Sequence, residues 1–328
     1  MENKRKVILD VDTGSDDAIA IMVAVLSKQV DVLGITVTQG NRPLKNCIEN
    51  TLRVLDMLDS HIPVYAGCPD AMVRNMIPGR NANNPTDGIS LFENGVEYTI
   101  HPEYLELPPA VSKAQTKHAC SFIIEAVKKS REKITIITVA PPTNIGMAFR
   151  MDPTIKDNIE EVIFMGGGVN VANVTPVAEA NFFHDPEAVK IILDSGVKVK
   201  IIGLDATHSA EITMEEAEKL IVTGTKAGRL AGDLIKMRAI ASKKKGWSDG
   251  TTEAIHDALA VATLLDPGVI MDMRRQKCDI DISGGAGDGQ LIVDRKNQNN
   301  SSVNTYVAYK ADKYKFYNII LECVKRSK

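Results

Sequence analysis

Short apolar runs alternate with amphipathic stretches along most of the chain, and each pair is typical of a strand followed by a helix. The runs predict strands at 6–12, 31–39, 134–139, 161–165 and 198–203. The apolar spacing predicts helices at 16–28, 44–58, 143–150, 185–194 and twice within 214–243. Continuously apolar strands that alternate with helices predict an α/β fold with an open, mostly parallel wound sheet of the Rossmann-like kind.

From about residue 269 the pattern changes to strand-like runs joined by turn-rich stretches. These runs lie at 269–281, 289–294 and 302–309, and a final amphipathic helix is expected at 313–326. No linker-like stretch precedes them, so we expect C-terminal antiparallel additions to the same sheet and a single domain over 1–328. Residues 68–96 lack apolar periodicity and are rich in Asn, Gly and Pro. We expect them to form a mobile lid loop, since loops of this length are usually functional or mobile.

Composition and charge exclude several classes of protein. The 328 residues are 44% hydrophobic and 25% charged, which is typical of a globular chain. The net charge of −3 argues against a strongly basic nucleic-acid binder. The longest apolar run, at 19–26, is far shorter than the roughly 20 residues of a membrane helix. Five cysteines without CxxC spacing, and no signal-peptide core, predict reduced thiols in a cytoplasmic protein.

Four aspartates within eight residues lie at the carboxyl end of the first predicted strand and just after it: Asp10, Asp12, Asp16 and Asp17. Helix capping explains one or two of them, because acidic side chains are favourable at a helix N-terminus. Four carboxylates at the carboxyl end of a strand, where open α/β sheets bind ligands, repel one another unless a cation lies among them. A ligand set made only of oxygen suits Ca²⁺ or Mg²⁺ rather than zinc.

Two enzyme families place aspartates after the first strand. The haloacid-dehalogenase phosphatases use a DxDxT motif, whose fifth position is Gly14 here, so the fit is poor. DVDTGSDDA at 10–18 instead resembles the DxDxxxDDA motif of the nucleoside hydrolases, the inosine–uridine-preferring N-ribohydrolase family. Further segments resemble that family's motifs in the same order: VTQGN at 37–41, TVAPPTN at 138–144, MGGG at 165–168, NVTPVAEAN at 173–181, DPEA at 185–188 and IHDALAVA at 255–262.

The resemblance implies hydrolysis of the N-glycosidic bond of ribonucleosides to free base and ribose, a reaction of purine and pyrimidine salvage. It implies one Ca²⁺ per chain, which holds the attacking water and is bound by Asp12, Asp17, the backbone carbonyl of Val139 and Asp257. Asp12 would also be the general base, and Asp10 would orient it. This chemistry is sound, because a divalent ion lowers the pKa of its water and a neighbouring carboxylate accepts the proton.

The same resemblance assigns the substrate contacts and the leaving-group acid. Sugar binding would involve Asp16, Asn41, Met165, Asn173, Glu179, Asn181 and Asp257. For the asparagines, turn formation is the alternative. His256 stands beside Asp257 at a predicted helix start and would protonate the departing base, a role that a pKa near neutrality suits. An isolated histidine is otherwise most often structural.

Base recognition is where the sequence departs from the family. Ala180 replaces the phenylalanine of the family's AEFN segment, and the histidine-bearing loop of pyrimidine-preferring members is not recognisable in 68–96. Trp247 is the aromatic residue nearest to the place of a family tyrosine, where it can stack on the base or anchor a lid. The preferred base, or a modified ribosyl substrate, therefore stays open. A non-catalytic nucleoside- or ribose-binding protein is the alternative function, and the resemblance implies a homodimer or homotetramer.

Overall fold

An eight-stranded sheet forms the centre of the structure, a computed structural model that describes residues 4–81, 89–296 and 303–328. The strands of this described part are β1 (Arg5–Val11), β2 (Val30–Val37), β3 (Val64–Ala66), β4 (Ser90–Glu93), β5 (Val96–Thr99), β6 (Ile134–Thr138), β7 (Ile159–Met165), β8 (Val199–Ile202), β9 (Ile212–Thr213), β10 (Thr252–Glu253), β11 (Ile270–Arg275), β12 (Cys278–Ile280), β13 (Leu291–Val293) and β14 (Thr305–Ala311). The order in the central sheet is β11-β14-β8-β7-β6-β1-β2-β3. Every neighbouring pair is parallel except β11 with β14, which confirms the predicted fold class.

Helices pack on both faces of this sheet. In chain order they are α1 (Ser15–Leu26), α2 (Leu44–Met57), α3 (Pro78–Asn81), α4 (Ala119–Lys129), α5 (Thr143–Met151), α6 (Ala180–His184), α7 (Pro186–Asp194), α8 (Leu204–Thr207), α9 (Met214–Ile221), α10 (Lys226–Lys244), α11 (His256–Leu265) and α12 (Lys313–Val324). Side chains alternate along β1, so Val7 and Leu9 join one hydrophobic core while Ile8 joins the other. Burial on two faces explains why the strands are continuously apolar in sequence.

The C-terminal strands extend the sheet at one edge. β14 pairs in parallel with β8, and β11 runs antiparallel to β14 as the outermost strand. The predicted strand-like run at 269–281 divides into two strands, and β12 pairs with β13 in a separate antiparallel sheet beside the main one. Every helix in the described ranges is too short or too polar to cross a lipid bilayer.

The predicted lid segment, residues 68–96, carries short elements in its described parts. They are a 3₁₀ turn at Arg74–Met76, helix α3 and the hairpin of β4 and β5, while residues 82–88 lie outside the described part of the chain. Arg80 in α3 is buried and binds both carboxylate oxygens of Asp288, at 2.7 and 2.8 Å, and Glu187 at 2.8 Å. This ion pair fixes one point of the segment to the body of the protein. The mobility of the segment stays a prediction.

Candidate active site

The carboxyl ends of neighbouring parallel strands meet at one edge of the sheet and carry much of the site. Asp12 directly follows β1, Val139 directly follows β6, and Met165 is the last residue of β7. Asn41 lies in the turn that connects β2 to α2. Residues distant in sequence thus come together because parallel strands end on the same side, as expected for a ligand site in an open α/β sheet.

Asp10 lies beneath this edge as a fully buried carboxylate with three hydrogen-bond donors. Thr36 Oγ1 donates at 2.6 Å, Asn144 Nδ2 at 2.9 Å and Thr138 Oγ1 at 3.1 Å. Burial raises the pKa of Asp10 to about 6, although the hydrogen bonds oppose that rise. Because the threonines belong to β2 and β6, Asp10 ties together the ends of three adjacent strands.

Asp12 has one satisfied and one unsatisfied carboxylate oxygen. Oδ2 accepts a 2.6 Å hydrogen bond from the backbone N–H of Asn41. A Cβ atom at position 40 would overlap the Asp12 carboxylate, so the turn needs the glycine that stands there, Gly40. Oδ1 is buried and has no hydrogen-bond partner within the protein. Burial, followed by repulsion from Asp17, raises the pKa of Asp12 well above its usual value. A buried oxygen without a partner is costly, which indicates a ligand at this position.

Three further carboxylates crowd together next to Asp12. One oxygen each from Asp16, Asp17 and Asp257 lies within 4.8 Å of the others, and all three side chains are buried. Asp17 is held by the amides of Asp12 and Gly14, at 3.2 and 2.9 Å. Burial and the charge of Asp16 raise the pKa of Asp17 to about 6 and that of Asp257 well above its usual value. A donor set of buried, mutually repelling carboxylates fits a divalent cation that prefers oxygen.

A cavity of about 1060 Å³ opens above this cluster. Ten of the twelve predicted site residues line it: Asp12, Asp16, Asn41, Val139, Met165, Asn173, Glu179, Asn181, His256 and Asp257. The other two lie behind the wall, where Asp17 belongs to the carboxylate cluster and Asp10 joins the strand ends. The structure therefore brings the residues singled out by the sequence motifs into one place.

Comparison with known proteins agrees with this geometry. The family model for the inosine-uridine preferring nucleoside hydrolases matches residues 7–318. The chain belongs to this family. The resemblance found in its motifs is thereby confirmed, and this nucleoside hydrolase is an enzyme.

Individual relatives span nearly the whole chain. The pyrimidine-specific ribonucleoside hydrolase RihB of Escherichia coli (strain SE11) is 34% identical over 323 residues, covering 98% of this chain and 97% of its own. A purine-preferring ribonucleoside hydrolase from Gardnerella vaginalis has a solved structure with 31% identity and a TM-score of 0.82, covering 98% and 99%. A plant nucleoside hydrolase structure, at 24% identity and a TM-score of 0.85 over 98% and 99%, supports the fold. The first two relatives prefer opposite base classes, so likeness alone assigns no base to this nucleoside hydrolase.

Another wall of the cavity is built by the segment from Asn173 to the first turn of α6. Asn181 Nδ2 donates to the carbonyl oxygens of Val139 and Met165, both at 3.1 Å. Glu179 caps α6, with its carboxylate accepting from the amides of Asn181 and Phe182 at 2.9 and 3.1 Å. Burial raises the pKa of Glu179 to about 7. Asn173 Oδ1 accepts from the backbone of this wall at 3.0 Å. The wall is thus braced by the polar side chains that line it.

Arg238 is a site residue that the sequence analysis missed. Its guanidinium is buried, with Nη1 3.0 Å from Asp16 Oδ1 and Nε 3.2 Å from Glu253 Oε1. Burial by itself raises the pKa of Asp16, but the charge of Arg238, with smaller contributions from His101, His256 and a backbone hydrogen bond, brings that pKa below its usual value. Asp16 therefore differs from Asp12 and Asp17, because it is ionised beside a fixed cation.

The burial of Arg238 could have been predicted from its position on the helix. Leu230, Leu234 and Arg238 follow one another at four-residue spacing in α10, and all three are buried. Residues at this spacing share one helix face, so an arginine there is placed on the apolar side. Because a buried arginine is almost always paired with a carboxylate, this position would have predicted acidic partners for Arg238.

Histidines also line the cavity, and His101 and His256 lie close enough to Asp16 to act on its charge. His256 Nδ1 lies 2.8 Å from Thr207 Oγ1, and its ring meets His208 edge-on at 5.3 Å between ring centroids. Burial lowers the pKa of His256 to about 3. His101 Nδ1 lies 3.8 Å from Asp16 and accepts from the Ser15 amide at 3.3 Å. Neither His101 nor His208 stands in a motif, so sequence reasoning did not select them.

Trp247 lies at the rim of the cavity and is 59% exposed. Lys245 Nζ is 4.6 Å from the centre of its ring. The indole is therefore not a core anchor, and one of its faces is covered by a cation.

Proposed function

We propose that this nucleoside hydrolase cleaves the N-glycosidic bond of ribonucleosides to free base and ribose in the cavity above the carboxylate cluster. One observation carries this proposal. The carboxylate cluster of Asp16, Asp17 and Asp257 lies next to Asp12, which has an unpartnered oxygen, and polar side chains line a cavity above it that is large enough for a nucleoside. A sugar with several hydroxyls needs such a matched set of donors and acceptors when it is buried.

The residues that would hold the catalytic cation are Asp12, Asp17, the carbonyl of Val139 and Asp257, and we propose Ca²⁺ as that ion. All of these donors are oxygens, and Ca²⁺ accepts six to eight oxygen ligands in flexible geometry. Asp16 completes the tight group with Asp17 and Asp257, but Arg238 already compensates its charge. When bound, a divalent cation lowers the pKa of a water molecule and thereby supplies a nucleophile at neutral pH.

Asp12 is the general base of this proposal. Asp12 lines the cavity, and its buried Oδ1 has no hydrogen-bond partner within the protein, so this oxygen is available to a water molecule held beside it. Asp10 acts as a positioning residue, since it binds the strand ends that carry Asp12 and Val139.

The sugar would be held by Asp16 and Asn41 on one wall and by Asn173, Glu179 and Asn181 on the other, with Met165 between them. Asp16 is ionised beside Arg238, so it is suited to accept hydrogen bonds from sugar hydroxyls. Asp257, which would also bind the cation, is proposed to contact the sugar as well.

His256 is the proposed acid for the departing base. Bond cleavage through an oxocarbenium-like state moves electrons onto the base, so a proton donor lowers the barrier. The ring lines the cavity and is oriented by Thr207. Burial lowers the pKa of His256 to about 3, below the near-neutral value expected from the sequence, so the neutral ring can hydrogen-bond the base through an N–H and acts as an acid only in its protonated form.

Ribose and base release from a panel of purine and pyrimidine nucleosides tests the proposal, with Asp12→Asn as the comparison. We expect ribose from at least one nucleoside with the native enzyme and a loss of turnover above about tenfold in the variant, a barrier change of roughly 1.4 kcal/mol or more. Nucleoside binding without any ribose release would favour the alternative of a non-catalytic binding protein.

A homodimer or homotetramer and a cytoplasmic location remain our expectations for this enzyme.

A further inference from the structure

A second group of metal-binding side chains lies away from the carboxylate cluster. Cys68 follows β3, and His118 and Cys120 lie at the start of α4. The two sulfurs are 4.0 Å apart, and a ring nitrogen of His118 lies within 4.8 Å of both. Among the described residues this is one of two groups of His, Cys, Asp and Glu close enough to share an ion, and the carboxylate cluster is the other.

The spacing of the sulfurs fits a shared metal better than a disulfide. Two thiolates at about 2.3 Å from a tetrahedral zinc ion lie roughly 3.8 Å apart, close to the 4.0 Å found between Cys68 and Cys120. A disulfide would require the sulfurs to approach by about 2 Å. His118 Nδ1 accepts a 3.2 Å hydrogen bond from the Cys120 amide, which places the ring beside the sulfurs. A metal on that lone pair replaces one long helix-capping bond.

Exposure and charge also favour a cation here. Cys120 is buried, Cys68 is half-buried and His118 is exposed, so an ion can enter from solvent and keep a water ligand on the open side. The carboxylates of Asp10 and Asp185 act electrostatically on Cys68, so the sulfurs lie in a negative field that favours a bound cation.

We propose that Cys68, His118 and Cys120 bind one thiophilic divalent cation, Zn²⁺, at a three-ligand site distinct from the oxygen-lined catalytic site. Two sulfurs and an imidazole select zinc over Ca²⁺ and Mg²⁺, which prefer oxygen. The site also joins elements, because the side chain of Asn144 in α5 accepts a hydrogen bond from the Cys68 amide at 2.8 Å. A bound ion would therefore brace the turn after β3 against α4 and α5.

Cobalt titration of the reduced, Ca²⁺-saturated full chain tests this site, because Co²⁺ bound to thiolate gives a charge-transfer absorption that carboxylate-bound Co²⁺ lacks. We expect the absorption to saturate at one Co²⁺ per chain and to disappear on addition of Zn²⁺. Cys68→Ser and Cys120→Ser should abolish it. His118→Asn, which keeps a helix-capping side chain, should weaken Co²⁺ binding by about tenfold or more.

Cys323→Ser is the matched control, since Cys323 is a buried thiol outside the cluster in α12 and its variant should keep the absorption. The exposed position of His118 keeps the test valid if a cysteine variant fails to fold. The proposal is overturned if the reduced native chain gives no thiolate absorption, or if His118→Asn binds Co²⁺ as tightly as the native chain. A Cys68–Cys120 disulfide that forms in air in the presence of equimolar Zn²⁺ would contradict it equally.

Discussion

Replacing Arg238 by methionine should destabilise the fold strongly, because it leaves two buried carboxylates without their cation. The side chains of Arg238, Asp16 and Glu253 are 3%, 5% and 9% exposed, so water does not replace the lost partner. Removing one member of such a buried pair typically costs about 3–5 kcal/mol. Methionine retains the apolar part of the side chain, so the loss measures charge and hydrogen bonding more than a cavity.

The pH dependence of this loss follows from the two carboxylates. In the native enzyme the pKa of Asp16 is lowered, so Asp16 stabilises the fold at pH values above its unfolded-state pKa. In the native enzyme burial already raises the pKa of Glu253, and Arg238 limits that rise. Without Arg238, burial also raises the pKa of Asp16 and raises that of Glu253 further, so ionising either carboxylate costs stability as the pH rises. The deficit of Arg238→Met should therefore be largest near pH 7 and shrink towards pH 4.

Urea denaturation of both proteins at several pH values measures this effect. Arg229→Met is the matched control on the same helix, because Arg229 is 79% exposed and lies 3.8 Å from Asp233. We expect its denaturation midpoint to equal that of the native enzyme. The argument would be refuted if the loss of unfolding free energy in Arg238→Met equalled that of the control, or if it grew as the pH fell.

Three other results are expected. Asp12→Asn should lose more than about tenfold in kcat while its circular dichroism stays native, and a smaller loss would remove Asp12 as the base. His256→Ala should lower kcat about 10²–10⁴-fold on natural nucleosides but little on p-nitrophenyl riboside, whose leaving group needs no proton. An equal loss of kcat on both substrates would mean that His256 supports Asp257 instead. Hydrogen exchange across 68–96 should slow when a ribose-like inhibitor binds, and identical exchange with and without it would exclude a lid that closes over the substrate.

The fold was accessible to sequence reasoning because its central strands are buried on both faces. β1, β6 and β7 contain the short apolar runs VIL, ITIIT and VIFM, and a stretch with helical spacing comes after each run in the chain. β3 and α4 were missed. β3 has three residues, too few for a periodic pattern, and α4 follows a long irregular segment that obscured its apolar spacing.

The candidate site was accessible where its residues stand in motifs, beside strand ends for Asp12 and Asn41 and at a helix start for Asp257. Arg238 escaped notice because a single arginine in a helix is most often solvated, and only its neighbours at four-residue spacing mark it as buried. Cys68 and Cys120 lie 52 positions apart in sequence, so no local spacing links them. Their proximity depends on how α4 packs beside β3.

The most direct test of the central claim is ribose release after removal and return of Ca²⁺. The enzyme is stripped with a chelator selective for Ca²⁺, checked for residual metal by elemental analysis and assayed on the best nucleoside of the panel. The account predicts that turnover is lost on stripping and returns as about one Ca²⁺ per chain is restored, whereas Asp12→Asn shows no recovery. Full turnover by enzyme shown to be metal-free would contradict the account, because crowded carboxylates without a cation cannot generate the nucleophile in this way.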